Sequence, residues 1–261
     1  MRTYFFPDRT DDYWAWPIAA PPTAAFLGAG YFGAAVSLAL GARERVWASA
    51  RLIAVLALAL TTVSLLVTLR DLSPFELEHG GVEGVTAWTW LAVYVTLPPL
   101  ALAAFVLQER AGGRGEYDAE PAHWATRLVL GTVGAVAGLY GVGLLLDWNA
   151  LVSRWPWPLT RLTAGVVGVL LFTYALGLLW FALRVRNWRR MRIGAIGLIV
   201  TILLHLLSAA RLRDDFDGGA GQAVYLAALV ALLAAIAAAA VAEERLRRAS
   251  PPAPAARAVG P

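Results

Sequence analysis

The chain has 261 residues, of which 59% are hydrophobic and only 15% charged; its 22 basic side chains are all arginine, set against 18 acids, and it has no cysteine. A soluble domain carries about 25% charged residues, and the deficit here is concentrated in long uncharged stretches. The missing cysteines exclude disulfides, thiol catalysis and iron–sulfur ligation, and the missing lysine excludes a retinal-type Schiff base.

Residues 1–17 mix Asp8, Asp11 and Asp12 with tyrosine, phenylalanine and tryptophan. No basic region precedes an apolar core there, so no cleaved signal peptide is expected and the segment is read as an aromatic, acidic extracytoplasmic arm. Beyond it, seven windows hold no Asp, Glu or Arg: 23–40, 52–69, 84–108, 128–146, 162–183, 193–210 and 218–242. A helix needs roughly 20 apolar residues to cross a hydrocarbon core ~30 Å thick. One charge at mid-span costs about 2.5–3.5 kcal/mol. The fold class is therefore all-α, a polytopic integral membrane helix bundle with about seven transmembrane helices. Spans are expected near 22–41, 47–69, 85–108, 125–147, 159–184, 192–212 and 220–243, within a membrane domain covering 18–244.

The first span opens on Pro21-Pro22, which suit a first helical turn, and contains Gly28-Ala29-Gly30-Tyr31-Phe32-Gly33. Those letters match a dinucleotide fingerprint, but that motif works only between a strand and a helix. Inside an uncharged span they are read as packing glycines. After the second span, Ser73-Pro74-Phe75-Glu76 has a capping-box pattern and predicts a short surface helix. Pro98-Pro99 in the third span removes two backbone donors, so a kink is expected, with freed carbonyls at Tyr94 and Val95. Tyr94, Pro98 and Pro99 are carried forward as speculative ligand-lining residues. The polar, Gly-rich loop 111–120 is expected to be flexible.

In the fourth span Gly131, Gly134, Gly138 and Gly141 fall on one helical face, a pattern that lets helices approach closely in lipid. Asp147 ends that span and is the acid singled out for speculative chemistry, with Arg154 or Arg211 as expected ion-pair partners. After the fifth span, the segment Arg184–Arg192 holds five arginines and Trp188, a composition suited to anionic lipid head groups. The sixth span contains His205, the one histidine inside a window, with Thr201 and Ser208 on the same face and Arg211 at its end. An ionisable group within a span is a functional candidate by default, although histidines also serve as hydrogen-bonding glue. One such histidine cannot supply bis-His haem ligation, and no cofactor or metal is expected. The seventh span is Ala-rich. Residues 245–261 are read as a disordered cytoplasmic tail.

Placing the N-terminus outside puts 15 of the 22 arginines on the inner side and 11 of the 18 acids on the outer side, so the positive-inside bias predicts N-out, C-in. All eleven tryptophans fall near span boundaries, where amphipathic indoles concentrate as an interfacial belt. The Arg-, Ala- and Gly-rich usage points to a GC-rich genome and a bacterial cytoplasmic (inner) membrane. The first functional reading is a non-catalytic membrane component, with another membrane protein or a second copy as partner and no nucleic acid. Its alternatives are a small permease or channel for a lipid-like or small polar solute, using His205 and the Pro98-Pro99 kink, and an enzyme acting on a lipid or isoprenoid at the outer leaflet through Asp147.

Overall fold

The computed structural model describes residues 2–78, 80–111, 122–185 and 188–249. Its elements are α1 (Arg2–Phe5), α2 (Pro21–Gly41), α3 (Trp47–Arg70), α4 (Val82–Arg110), α5 (Trp124–Leu145), α6 (Asn149–Val152), α7 (Arg161–Trp180), α8 (Trp188–Arg211) and α9 (Ala220–Ala249), with short 3₁₀ turns at Pro7–Asp12 and Arg213–Asp215. No strand occurs among the described residues. Among the described residues seven helices are long and apolar enough to cross a bilayer, and the chain is a multi-pass membrane protein of the all-helical kind its hydropathy calls for. Residues 112–120 of the loop expected to be flexible and residues 250–261 of the tail lie outside the described residues, as do residues 186 and 187 of the arginine-rich segment.

Local chemistry sets the helix ends. Pro21 and Pro22 occupy the first turn of α2, where a missing N–H costs nothing. Thr160 caps α7 by accepting from the Thr163 N–H, and the Thr163 hydroxyl accepts from the Thr160 N–H in return. At the end of α5, Asp147 adopts φ 57°, while Trp148 N–H reaches Gly143 O at 2.9 Å and Asp147 N–H reaches Leu144 O at 3.2 Å. This left-handed closure satisfies the last carbonyls of the helix. α7 does not stop at Trp180 but runs on as a π-turn over Phe181–Val185.

α7 and α8 form the centre, with 61% and 50% of their apolar windows buried, whereas α4 and α9 lie at the margin with 11% and 17%. Two close pairings organise the bundle, α5 with α7 and α2 with α8. Glycines permit both. A Cβ on Gly141 would lie 3.0 Å from Gly168 O, and one on Gly168 would lie 2.8 Å from Gly141 O. In the second pair, a Cβ on Gly197 would lie 2.7 Å from Gly33 O. Gly131, Gly134 and Gly138 likewise face Ala182, Leu178 and Ala175 of the α7 strip, so these three and Gly141 look at one neighbour, while Gly143 faces Leu151 and Trp148.

One end of the bundle, termed here the amino-terminal face, collects residues 2–20 and the turns after α3, α5 and α8. The carboxyl-terminal face is the opposite end. The residue 2–20 arm is not a free extension. Tyr4 is 1% exposed, donates from its hydroxyl to Leu204 O at 3.0 Å and packs on Gly28, with Arg211 over its ring. Two further expectations are corrected. Ser73–Glu76 forms turns and no helix, because Phe75 is drawn into the bundle against Trp16 and Glu76 N–H bonds Ala15 O. α9 continues to Ala249, so residues 245–249 are helical where a disordered tail was expected, with an Arg248–Glu244 pair one turn apart.

Candidate functional site

Antiparallel packing of α8 on α2 places His205 against Phe26, their rings nearly parallel at 18° with centroids 4.2 Å apart. His205 is 2% exposed. The helical spacing of four and three brings Thr201 and Ser208 to the same buried side, but each hydroxyl turns back on its own helix: Thr201 donates to Gly197 O and Ser208 to His205 O, both at 3.0 Å. Neither therefore serves the imidazole. Neither ring nitrogen of His205 has a hydrogen-bond partner among the described residues, and the same holds for the Tyr174 hydroxyl and the Trp155 indole nitrogen.

These groups belong to one packed aromatic cluster. Tyr225 from α9 closes on His205 at 6.5 Å and on Trp155 at 5.9 Å. Trp155 meets Trp157 edge-on at 5.1 Å and Phe26 at 5.8 Å. Tyr174 of α7 enters beside Gly30, where a Cβ would sit 3.2 Å from its hydroxyl. Trp157 donates to Thr23 Oγ1 at 2.7 Å. Thr23 also lines a cleft of about 360 Å³ on the amino-terminal face, together with Ala20, Leu159, Thr160 and Asp215. The Trp157–Thr23 contact thus joins this aromatic cluster to the cleft wall. Chemically the cluster offers the two ring nitrogens of an imidazole, a hydroxyl, and an indole that only donates. None of these three side chains is a carboxylate.

The residues expected to line a ligand divide into two groups. Tyr94 shares a 2.8 Å hydrogen bond with Tyr31 and stacks on Trp90 at 4.3 Å, in a second aromatic group with Trp14, Trp16 and Phe75. No ring of this group contacts a ring of the His205 cluster among the described residues. The separation follows from topology, because α4 packs on α3 while α8 packs on α2. Pro98 is buried on the Tyr94 side and Pro99 is exposed, and α4 passes through both as one unbroken helix.

Asp147 requires correction. Its side chain is exposed, and its backbone serves as the helix stop described above. Its expected partners are engaged elsewhere: Arg154 bonds Ala150 O at 2.5 Å, and Arg211 bonds Tyr4 O at 3.2 Å and Phe5 O at 3.4 Å. The carboxylate that does organise this face is Asp71, paired with Arg70 at 2.6 Å and Arg161 at 3.3 Å. Arg70 also donates to Leu145 O, tying the ends of α3 and α5 to the start of α7. Arg70-Asp71 closing one span and Arg161 opening another was the available signal.

Outside the spans, burial pushes the Tyr13 phenol up to about 12, aided by the nearby charge of Asp8; its hydroxyl donates to Phe6 O at 2.6 Å. Burial also raises Tyr4, opposed by the adjacent Arg211 guanidinium. Sequence reading missed Trp155, Trp157, Tyr174 and Tyr225. The two tryptophans sit at a span boundary, where an indole facing lipid and one facing inward look alike in sequence. The tyrosines offered a signal, each being a hydroxyl within an otherwise charge-free window. Comparison with protein-family models, curated proteins and solved structures finds no match to this chain.

Proposed function

We propose that the protein is a permease-class component of the bacterial cytoplasmic membrane, N-terminus outside, that binds a small uncharged polar solute at the aromatic cluster around His205. One observation carries this reading. His205 from α8 and Trp155 from the α6–α7 connection, both buried, bring unpartnered ring nitrogens into a single aromatic cluster, beside the half-buried Tyr174 of α7. An unsatisfied buried polar group costs about 1–3 kcal/mol, whereas an apolar side chain of similar shape would cost nothing. A bundle selected only for stability would fill these positions with leucine, so the retained polarity supports a binding role. Composition alone ranked a non-catalytic component first, and the nearly bare apolar face of α4 remains consistent with a partner helix docking there. Asp147, exposed and unpaired with any basic group among the described residues, gives the enzyme reading no comparable support.

The test is solute uptake by proteoliposomes, combined with native mass spectrometry of protein extracted gently from its own membrane. His205→Leu is expected to abolish both uptake and the retained small molecule while the protein still folds. Equal retention and uptake by the variant would remove His205 from any such role. For orientation, single reporter cysteines at Glu78→Cys and Arg189→Cys should label from opposite sides, with position 78 outside; labelling from the same side would refute the proposed topology.

A further inference from the structure

The carboxyl-terminal end of the bundle carries a groove of about 670 Å³ where the start of α5 meets the last turns of α9. It is lined by His123, Ala237, Ala238, Val241, Ala242 and Arg245. We propose that this groove binds an anionic phospholipid, with an acyl chain along α9 and the phosphate at Arg245 and His123. The proposal does not depend on the solute-binding reading above.

The α9 sequence makes the groove. Positions 237, 238, 241 and 242 fall on one side of the helix, where they are exposed and carry only methyl and isopropyl groups. The other side holds Ile236 and Ala239, 1% and 6% exposed, in the aliphatic core. Small side chains facing outward leave a methyl-walled trough, and in a bilayer core without water such a trough is filled by hydrocarbon. Its depth is set by the span ends. Arg245 closes the apolar span Ala220–Arg245, and Trp124 opens the span Trp124–Leu145. Trp124 is 67% exposed, an indole turned outward at a span boundary, as at head-group level. His123 and Arg245 thus sit at the polar boundary, and the alanines run from there into the hydrocarbon.

The mouth presents donors. His123 Nδ1 accepts from Ala125 N–H at 3.3 Å, which leaves Nε2 as the nitrogen that donates. The neighbouring acids are engaged: Glu243 accepts from His123 N–H at 2.8 Å, and Glu244 holds Arg248 at 2.9 Å. No acid among the described residues pairs with Arg245. A guanidinium and an imidazole N–H at one mouth suit the oxygens of a phosphodiester. A zwitterionic head would bring its ammonium towards the same guanidinium, which favours an anionic one. A second copy fits less well. Two copies inserted in one orientation are related by an axis along the membrane normal, so each Arg245 would face the other at the same depth.

The test is native mass spectrometry of the full chain released from phosphatidylcholine nanodiscs holding a minor share of phosphatidylglycerol. Preferential retention of phosphatidylglycerol is expected. Arg245→Gln should lower it about tenfold, the loss of one guanidinium–phosphate pair. Val241→Trp fills the trough without changing charge and should lower it comparably. Both side chains are exposed, so neither change disturbs the core. Equal retention of the two lipids would overturn the anionic assignment, and full retention in either variant would overturn the groove. Loss on Arg184→Gln alone would move the lipid to the arginine-rich segment and overturn the site. Displacement by inorganic phosphate would make it a plain anion site, with no role for the trough. A lipid-free dimer broken by Val241→Trp would give the face to a second copy.

Discussion

The two halves of the bundle are built on opposite rules. Towards the carboxyl-terminal face the core is aliphatic, with Leu52, Leu130, Leu178, Met191, Leu198 and Ile236 around Phe181. Several of its charged groups are held at the rim: Arg51 and Trp47 both hold Glu109, at 2.9 and 2.6 Å, and Arg127 donates to Ala182 O at 2.9 Å, while Arg190 Nε has no partner among the described residues. Towards the amino-terminal face the interior is aromatic and carries hydroxyls, indoles and an imidazole, some without partners. The same lipid surrounds both halves. Their difference shows that unpartnered buried polar atoms in this bundle are concentrated towards the amino-terminal face, as expected where stability is given up locally for function.

The comparison can be attacked from either side. The largest effect is expected from Leu130→Asn, which puts an amide with no partner into the aliphatic half. Lost apolar packing together with an unsatisfied buried group should lower stability by about 3 kcal/mol, read from thermal unfolding in detergent; a variant as stable as the parent would show that the carboxyl-terminal half also accommodates polarity. Next comes the reverse exchange. His205→Leu should raise stability by about 1 kcal/mol, because an unpartnered polar group is replaced by an apolar one of similar size. Destabilisation would identify His205 as structural glue and erase the contrast between the halves. The smallest effect concerns the arm over the aromatic face. The Tyr13 phenol is raised from 10.0 to about 12 by burial in the folded state, so its contribution is complete below pH 10 and is lost as pH climbs towards 12. Limited proteolysis of the arm should increase across that window, and Tyr13→Phe should flatten the response; parallel profiles would detach the arm from this phenol.

The helices were legible because ionised side chains are excluded from long stretches, a signal that needs no tertiary information. His205 was legible for the same reason, as an ionisable group where none should be. Which way a side chain points was not legible. Trp155 and Trp157 satisfy the rule for interfacial indoles by depth, yet both face inward, since depth follows from position along the chain and direction only from helix packing. Tyr94 and His205 both fall within spans, and only the pairing of α4 with α3 and of α8 with α2 separates them. Asp147 drew attention as an acid at a span end; its left-handed backbone is a conformation that sequence favours for glycine, so its role as a helix stop was hidden. Ser73–Glu76 has the letters of a cap, but the pull of Phe75 into the core outweighs a propensity of a few tenths to about 1 kcal/mol.

The clasp between Tyr4 and α8 has a consequence for biogenesis. The Tyr4 hydroxyl seeks Leu204 O, 200 positions later in the chain, and Arg211 grips the carbonyls of Tyr4 and Phe5. Ribosomal synthesis proceeds at about 5–20 residues per second, so residues that emerge first must wait on the order of ten seconds or more before their receptor surface exists. The bond to α8 and the grip of Arg211 can close only then, so fastening of the arm to α8 is a late step that ties the start of the chain to its sixth span.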